Sequence, residues 1–88
     1  MKYAFAFTAH ARRQLRALDQ QTAMRILEAL TPLGDDPYLD GTQVPKLVGH
    51  GDRYRLRVGD YRVVYRIDDH QLVIEVVQVG HRREVYRR

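Results

Sequence analysis

Two segments hold the residues that could do chemistry. Tyr54-Arg-Leu-Arg-Val-Gly-Asp-Tyr-Arg-Val-Val-Tyr-Arg66 sets arginines at alternate positions of what reads as a β-hairpin. Gly80-His-Arg-Arg-Glu-Val-Tyr86 adds a second basic cluster with a tyrosine. A guanidinium is planar, always charged, and grips phosphate through two parallel N–H···O bonds. Like charges aligned on a sheet repel, so such a row asks for a counter-charge. The pattern points to a small basic protein that presents a sheet face to RNA.

Such a face has the parts for cutting RNA without a metal. The ribose 2′-hydroxyl is an internal nucleophile, so the protein need not supply one. It must align that oxygen with the phosphorus, neutralise the charge that builds on the non-bridging oxygens, and move two protons. Arg55, Arg57, Arg62 and Arg82 are the candidate charges. Tyr86 and His81 are the candidate proton-transfer groups. Each has a plainer reading. Arg62 could shield a sheet face, Tyr86 could lie as an aromatic lid on the core edge, and His81 could be a solvated strand end. His10, His50 and His70 fall at helix, loop and turn positions without metal-ligand spacing. No glycine-rich phosphate loop, Ser-His-Asp arrangement or carboxylate pair is present. No metal and no cofactor are expected.

These residues need a scaffold, and 88 residues allow one domain spanning 1–88. A chain of this size buries about 60–65% of its unfolded surface, enough for a thin two-layer core. Tyr3–Phe7 alternates aromatics as a strand does. Thr8 is placed to cap a helix from Ala9 to Leu18, with Ala11, Leu15 and Leu18 on one face. Asp19 can cap a second helix whose stripe is Ala23, Ile26, Leu27 and Leu30, stopped by Pro32 and Gly34. Residues 34–51 read as a long loop. Three strands follow: Arg53–Val58, Tyr61–Ile67 and Leu72–Val79. The turns are Gly59-Asp60 and Asp68-Asp69-His70. Alternation puts Arg53, Arg55 and Arg57, then Arg62 and Arg66, on an open, solvated face. The expected fold is α+β, of order β-α-α-β-β-β. A helical hairpin packs on one face of a small, mainly antiparallel four-stranded sheet.

Charge agrees with the placement of the site. Residues 1–45 carry five Lys/Arg and five Asp/Glu, whereas residues 46–88 carry ten and six. The whole formal excess of +4 lies in the second half, which favours an anionic partner there. A solvated, arginine-rich strand surface would show the same composition. Absence of cysteine removes disulfides and thiolate metal sites and fits a reducing compartment. The opening Met-Lys-Tyr-Ala-Phe-Ala-Phe is too short for a signal-peptide apolar region, and no stretch reaches transmembrane length. A cytoplasmic protein without membrane contact is expected.

Over nearly its whole length the chain resembles the RelE family of bacterial and archaeal type II toxins. The resemblance rests on the strand and helical hairpin, Lys46-Leu47, Tyr54-Arg-Leu-Arg, Gly59-Asp-Tyr-Arg-Val-Val-Tyr65 and Gly80-His-Arg-Arg-Glu-Val-Tyr86. It implies a ribosome-dependent mRNA endoribonuclease that cuts within the A-site codon. It also implies neutralisation by a RelB-like antitoxin, and binding of operator DNA through the toxin–antitoxin complex. The family's basic pair falls on Arg55 and Arg57, its central-strand arginine on Arg62, its late arginine on Arg82 and its C-terminal tyrosine on Tyr86. Lys46 and Arg83 join Arg55 and Arg57 as RNA-binding candidates. The family often has lysines where Arg55 and Arg57 stand. Arginine stays charged, so electrostatic stabilisation survives there and an acid role does not. His81 can then take up proton transfer. Two rivals share the fold: a ParE-like gyrase poison that acts by binding protein, and an inactive toxin fold kept as a DNA-bound repressor subunit.

Overall fold

A computed structural model describes residues 2–37 and 53–81. The elements are β1 (Ala4–Phe7), α1 (Ala9–Arg16), α2 (Gln20–Leu30), a 3-10 turn (Thr31–Gly34), β2 (Arg53–Val58), β3 (Tyr61–Asp68) and β4 (Val73–His81). The sheet order is β1-β4-β3-β2. β4 runs antiparallel to β3 and parallel to β1. The α+β arrangement, with both helices between β1 and the three later strands of a mainly antiparallel sheet, is the one expected.

Local chemistry sets the helix starts. The Thr8 hydroxyl accepts from the Ala11 N–H at 3.0 Å and opens α1. The Thr22 hydroxyl and N–H both donate to the Asp19 carboxylate, at 2.6 and 3.1 Å, opening α2 and holding the Asp19 pKa below its ordinary value. The ends depart from expectation. α1 finishes at Arg16, short of Leu18. Pro32 does not stop helical winding outright. Its missing N–H breaks the α pattern, and the chain tightens into the 3-10 turn. The Thr31 hydroxyl takes up the Leu27 carbonyl at 2.9 Å as the α pattern ends.

The core lies between the helices and one sheet face. Ala11, Ile26, Leu30 and Leu33 pack with Leu56, Val58, Val63, Tyr65, Ile74, Val76 and Val79. Leu27, expected in the buried stripe, is 38% exposed, and Met24 beside it is 50% exposed. α2 is therefore held by a narrow contact through Ile26 and Leu30. Tyr54 stacks on Tyr65 with centroids 5.9 Å apart, closing the β2 side of the core. The Tyr3 hydroxyl donates to Asp69 at 2.6 Å, tying β1 to the β3–β4 turn; this bond, ahead of burial, raises the Tyr3 pKa.

Two turns set the strand order. Asp68 Oδ1 accepts from the N–H groups of His70 and Gln71 and nucleates the β3–β4 turn. Gly59 sits at φ 59° between β2 and β3, in the left-handed region that glycine tolerates. A Cβ there would meet nothing within 4 Å, so its penalty is purely one of backbone conformation. Gly59→Ala should destabilise the fold by about 1–2 kcal/mol. Urea unfolding checks this, and an unchanged midpoint would show that the turn relaxes to another type.

Candidate functional site

The strand registers build the arginine face row by row. Arg53 lies opposite Arg66, which lies opposite Glu75. Arg55 lies opposite Val64, and Val64 opposite Gln78. Arg57 lies opposite Arg62, and Arg62 opposite Gly80. All these positions share the sheet face turned away from the helical core. Directly opposed side chains have Cβ atoms about 4.5–5.5 Å apart, so each arginine pair is a repulsive contact unless screened.

The first and third rows solve this repulsion differently. Arg66 Nη1 bonds Glu75 Oε1 at 3.2 Å, with both side chains well exposed. That row carries its own counter-charge. The Arg57–Arg62 row meets Gly80, which brings no side chain at all. The result is two guanidinium-bearing positions side by side next to bare backbone, with Arg62 and Gly80 both buried. Charge placed in this way suits a tetrahedral anion.

One expectation about this face needs correction. Arg62 is not on open, solvated surface: it is 3% exposed, and Val64 beyond it is 2% exposed. Arg62 Nη1 donates to the Tyr61 carbonyl at 3.2 Å, which fixes one edge of the guanidinium. Arg57 remains exposed and Arg55 half-buried. A buried charge is held in one geometry and acts through a less polar medium, so it interacts more strongly than a surface one.

A β-bulge decides where His81 lies. Tyr65 pairs with Val76, but Val64 pairs with Gln78, leaving Val77 as the extra residue. Before it, Ile74 and Val76 face the core; after it, Val79 does. An unbroken strand would have put His81 on the face of Arg62. With the bulge His81 pairs with Tyr61 and lies against its ring edge-on, centroids 5.7 Å apart, on the helix-side face. The structure thus brings Arg55, Arg57 and Arg62 together and sets His81 at the rim behind them. Lys46, Arg82, Arg83 and Tyr86 lie outside the described residues. The sequence does carry a sign of the bulge: Glu75 and Gln78 both face outward yet stand three apart, with the doublet Val76-Val77 between them.

Elsewhere the surface offers less. A hollow of about 560 Å³ at the far end of β3 and β4 is lined by Asp68, Asp69, Glu75, His70 and Arg66 among others. Its acids outnumber its cations, so it does not fit a phosphate. Among the described residues, no three His, Asp or Glu side chains gather as metal ligands would. No helix among them is long and apolar enough to cross a membrane.

Comparison with known proteins extends this picture. Residues 5–86 match the family model of the ParE toxin of the type II toxin–antitoxin system parDE. The chain is 34% identical over 90 residues to toxin RelG of Mycobacterium tuberculosis, covering 100% of both. It is 36% identical over 87 residues to toxin RelE of the same organism, covering 97% of this chain and 87% of that one. Among solved structures, a chain of the archaeal RelE–RelB complex from Pyrococcus horikoshii superposes with a TM-score of 0.77. That match has 32% identity and covers 93% of this chain and 97% of that one. A chain of the intact Escherichia coli RelBE toxin–antitoxin complex superposes with a TM-score of 0.76, at 28% identity, covering 90% and 95%.

Proposed function

The chain belongs to the RelE family of type II toxins, within the RelE/ParE superfamily, and from that premise we propose that it is a ribosome-dependent mRNA endoribonuclease. It is a toxin of a RelBE-type toxin–antitoxin system. The observation that carries the nuclease reading is the Arg57–Arg62–Gly80 row, with Arg55 beside it. In this reading the phosphate to be cut sits at this row, its non-bridging oxygens toward Arg57 and Arg62. The 2′-oxygen attacks the phosphorus and the bond to the 5′-oxygen breaks. The message is left with a 2′,3′-cyclic phosphate upstream and a 5′-hydroxyl downstream. One proton leaves the 2′-oxygen and one reaches the 5′-oxygen. Tyr86 and His81 are the proposed carriers, Arg82 a further charge, and Lys46 and Arg83 contacts to the RNA backbone.

Neutralisation by a RelB-like antitoxin follows from the same premise, since relatives of this fold crystallise with RelB. The exposed Met24 and Leu27 on α2 and the basic sheet face offer an apolar patch and a charged one. A segment that folds as it binds could cover both, at an ordering cost of about 2–5 kcal/mol. Operator DNA would then be reached through the complex. The site of action would be the cytoplasm, where ribosomes are.

The test is cleavage of ribosome-bound message by purified toxin. Chelator should leave cutting intact, and a 2′-deoxy nucleotide at the cut site should abolish it. Products with 5′-phosphate ends would sink the mechanism. Expression alone should arrest bacterial growth, and co-expressed antitoxin should restore it. The family model that matches the chain bears the ParE name, which favours a second reading, a gyrase poison. Plasmid supercoiling by gyrase, inhibited by toxin while message stays whole, would establish that reading instead.

A further inference from the structure

β4 outruns its parallel neighbour. β1 is paired with it from Ala4–Val73 to Phe7–Val76, while β4 continues to His81. Among the described residues, the last rungs of β4 have a strand partner, β3, on one side only. The backbone groups on the other edge need partners. Two side chains from the start of the helical region reach them. The Thr8 hydroxyl donates to the Val77 carbonyl at 3.4 Å while accepting from Ala11 to cap α1. Further along α1, Gln14 Oε1 accepts from the Val79 N–H at 2.7 Å.

Gln14 stands in an apolar setting. Ala11, three residues before it on the helix, is buried in the core, and Leu15 and Leu18 pack against that core. A leucine at 14 would add apolar contact. What glutamine supplies is an acceptor aimed at a strand edge. The bulge at Val77 makes this acceptor matter. A strand that has slipped once has a second register close by, and a one-residue slip turns every later side chain to the other face. In that register Val79 would replace Gly80 opposite Arg62 and bring a side chain where there is none. The Val79 N–H would turn toward β3, leaving Gln14 without its donor.

We propose that Gln14 is a positioning residue of the working face: its bond to Val79 holds the end of β4 in the register that keeps Gly80 opposite Arg62. The proposal rests on the reading that the Arg57–Arg62–Gly80 row is the toxin's working surface.

Two variants and three readouts test it. Gln14→Leu keeps the reach and removes the acceptor. Gln14→Glu keeps an acceptor oxygen at similar reach. Amide exchange at Val79 reads the anchor directly, steady-state cleavage of ribosome-bound message separates kcat from KM, and growth arrest reads toxin action whatever its target. Gln14→Leu should speed Val79 exchange and lower kcat on the order of 10–10²-fold with KM nearly unchanged, and Gln14→Glu should restore most of it. A wild-type kcat in Gln14→Leu overturns the proposal. So does a loss that Gln14→Glu fails to restore, or one that merely tracks the unfolded fraction. If the wild-type protein arrests growth but cuts no message, the nuclease reading falls by itself. Gln14 is then judged on the other two readouts. Faster Val79 exchange with weakened arrest in Gln14→Leu sustains the proposal, and no change in either overturns it.

Discussion

Arg62→Met should cut the rate of message cleavage on the order of 10²–10³-fold, equivalent to about 3–4 kcal/mol in the barrier, and abolish growth arrest. Methionine keeps an unbranched side chain and most of the aliphatic contact, so stability should change by less than about 1.5 kcal/mol. Two of the effects on the fold oppose each other. The substitution removes a guanidinium that donates to the Tyr61 carbonyl. It also relieves the contact of like charges with Arg57 directly across the strand pair. Arg62→Ala differs, because the side chain is 3% exposed and its loss leaves a void. Truncation of a buried side chain of this length costs about 2–5 kcal/mol, so the alanine variant mixes a folding defect with a catalytic one. The methionine variant is the clean comparison. Cleavage at wild-type rate by well-folded Arg62→Met would remove the central charge from the mechanism and favour a toxin that acts by binding protein.

Ile26→Ala should lose about 2–5 kcal/mol of folding stability. A domain of this size has about 5–10 kcal/mol in total, so much of the isolated protein should be unfolded well below the wild-type melting temperature. The reason is the narrow attachment of α2. Ile26 is fully buried and Leu30 nearly so, whereas Met24 and Leu27 face outward and cannot take over. Helix propensity will not compensate, since an eleven-residue helix is marginal without tertiary contact. A partner that binds only the folded state restores stability by mass action. Co-expressed antitoxin should therefore recover soluble Ile26→Ala protein. Thermal unfolding of the variant with and without antitoxin checks both statements. A loss below about 1 kcal/mol would mean that α2 is anchored by contacts other than Ile26.

Much of this molecule is written locally. Thr8 and Asp19 start their helices through side-chain acceptors a few residues from the N–H groups they serve, so neighbouring residues suffice to find them. Gly59 marks its turn because only backbone conformation is at issue. Alternation along β2 and β3 is a property of a single strand, and it correctly sorted Arg53, Arg55, Arg57, Arg62 and Arg66 onto one face. The same residues supplied the chemical argument, since arginine's charge and shape do not depend on its surroundings.

The rest depended on what lies across from each residue. Burial of Arg62 and Val64 is not a property of their own strand, so a strand pattern of polar and apolar residues could not tell a solvated arginine from an enclosed one. The side of the sheet that His81 joins turns on the single unpaired Val77, because a bulge inverts facing for everything after it. Nothing in its own helix marks Gln14 as the acceptor for an N–H 65 residues away, which β4 presents where it outruns β1. Residue type and spacing carry the charges and the caps. Register and burial are relations between segments, and those exist only once the chain has folded.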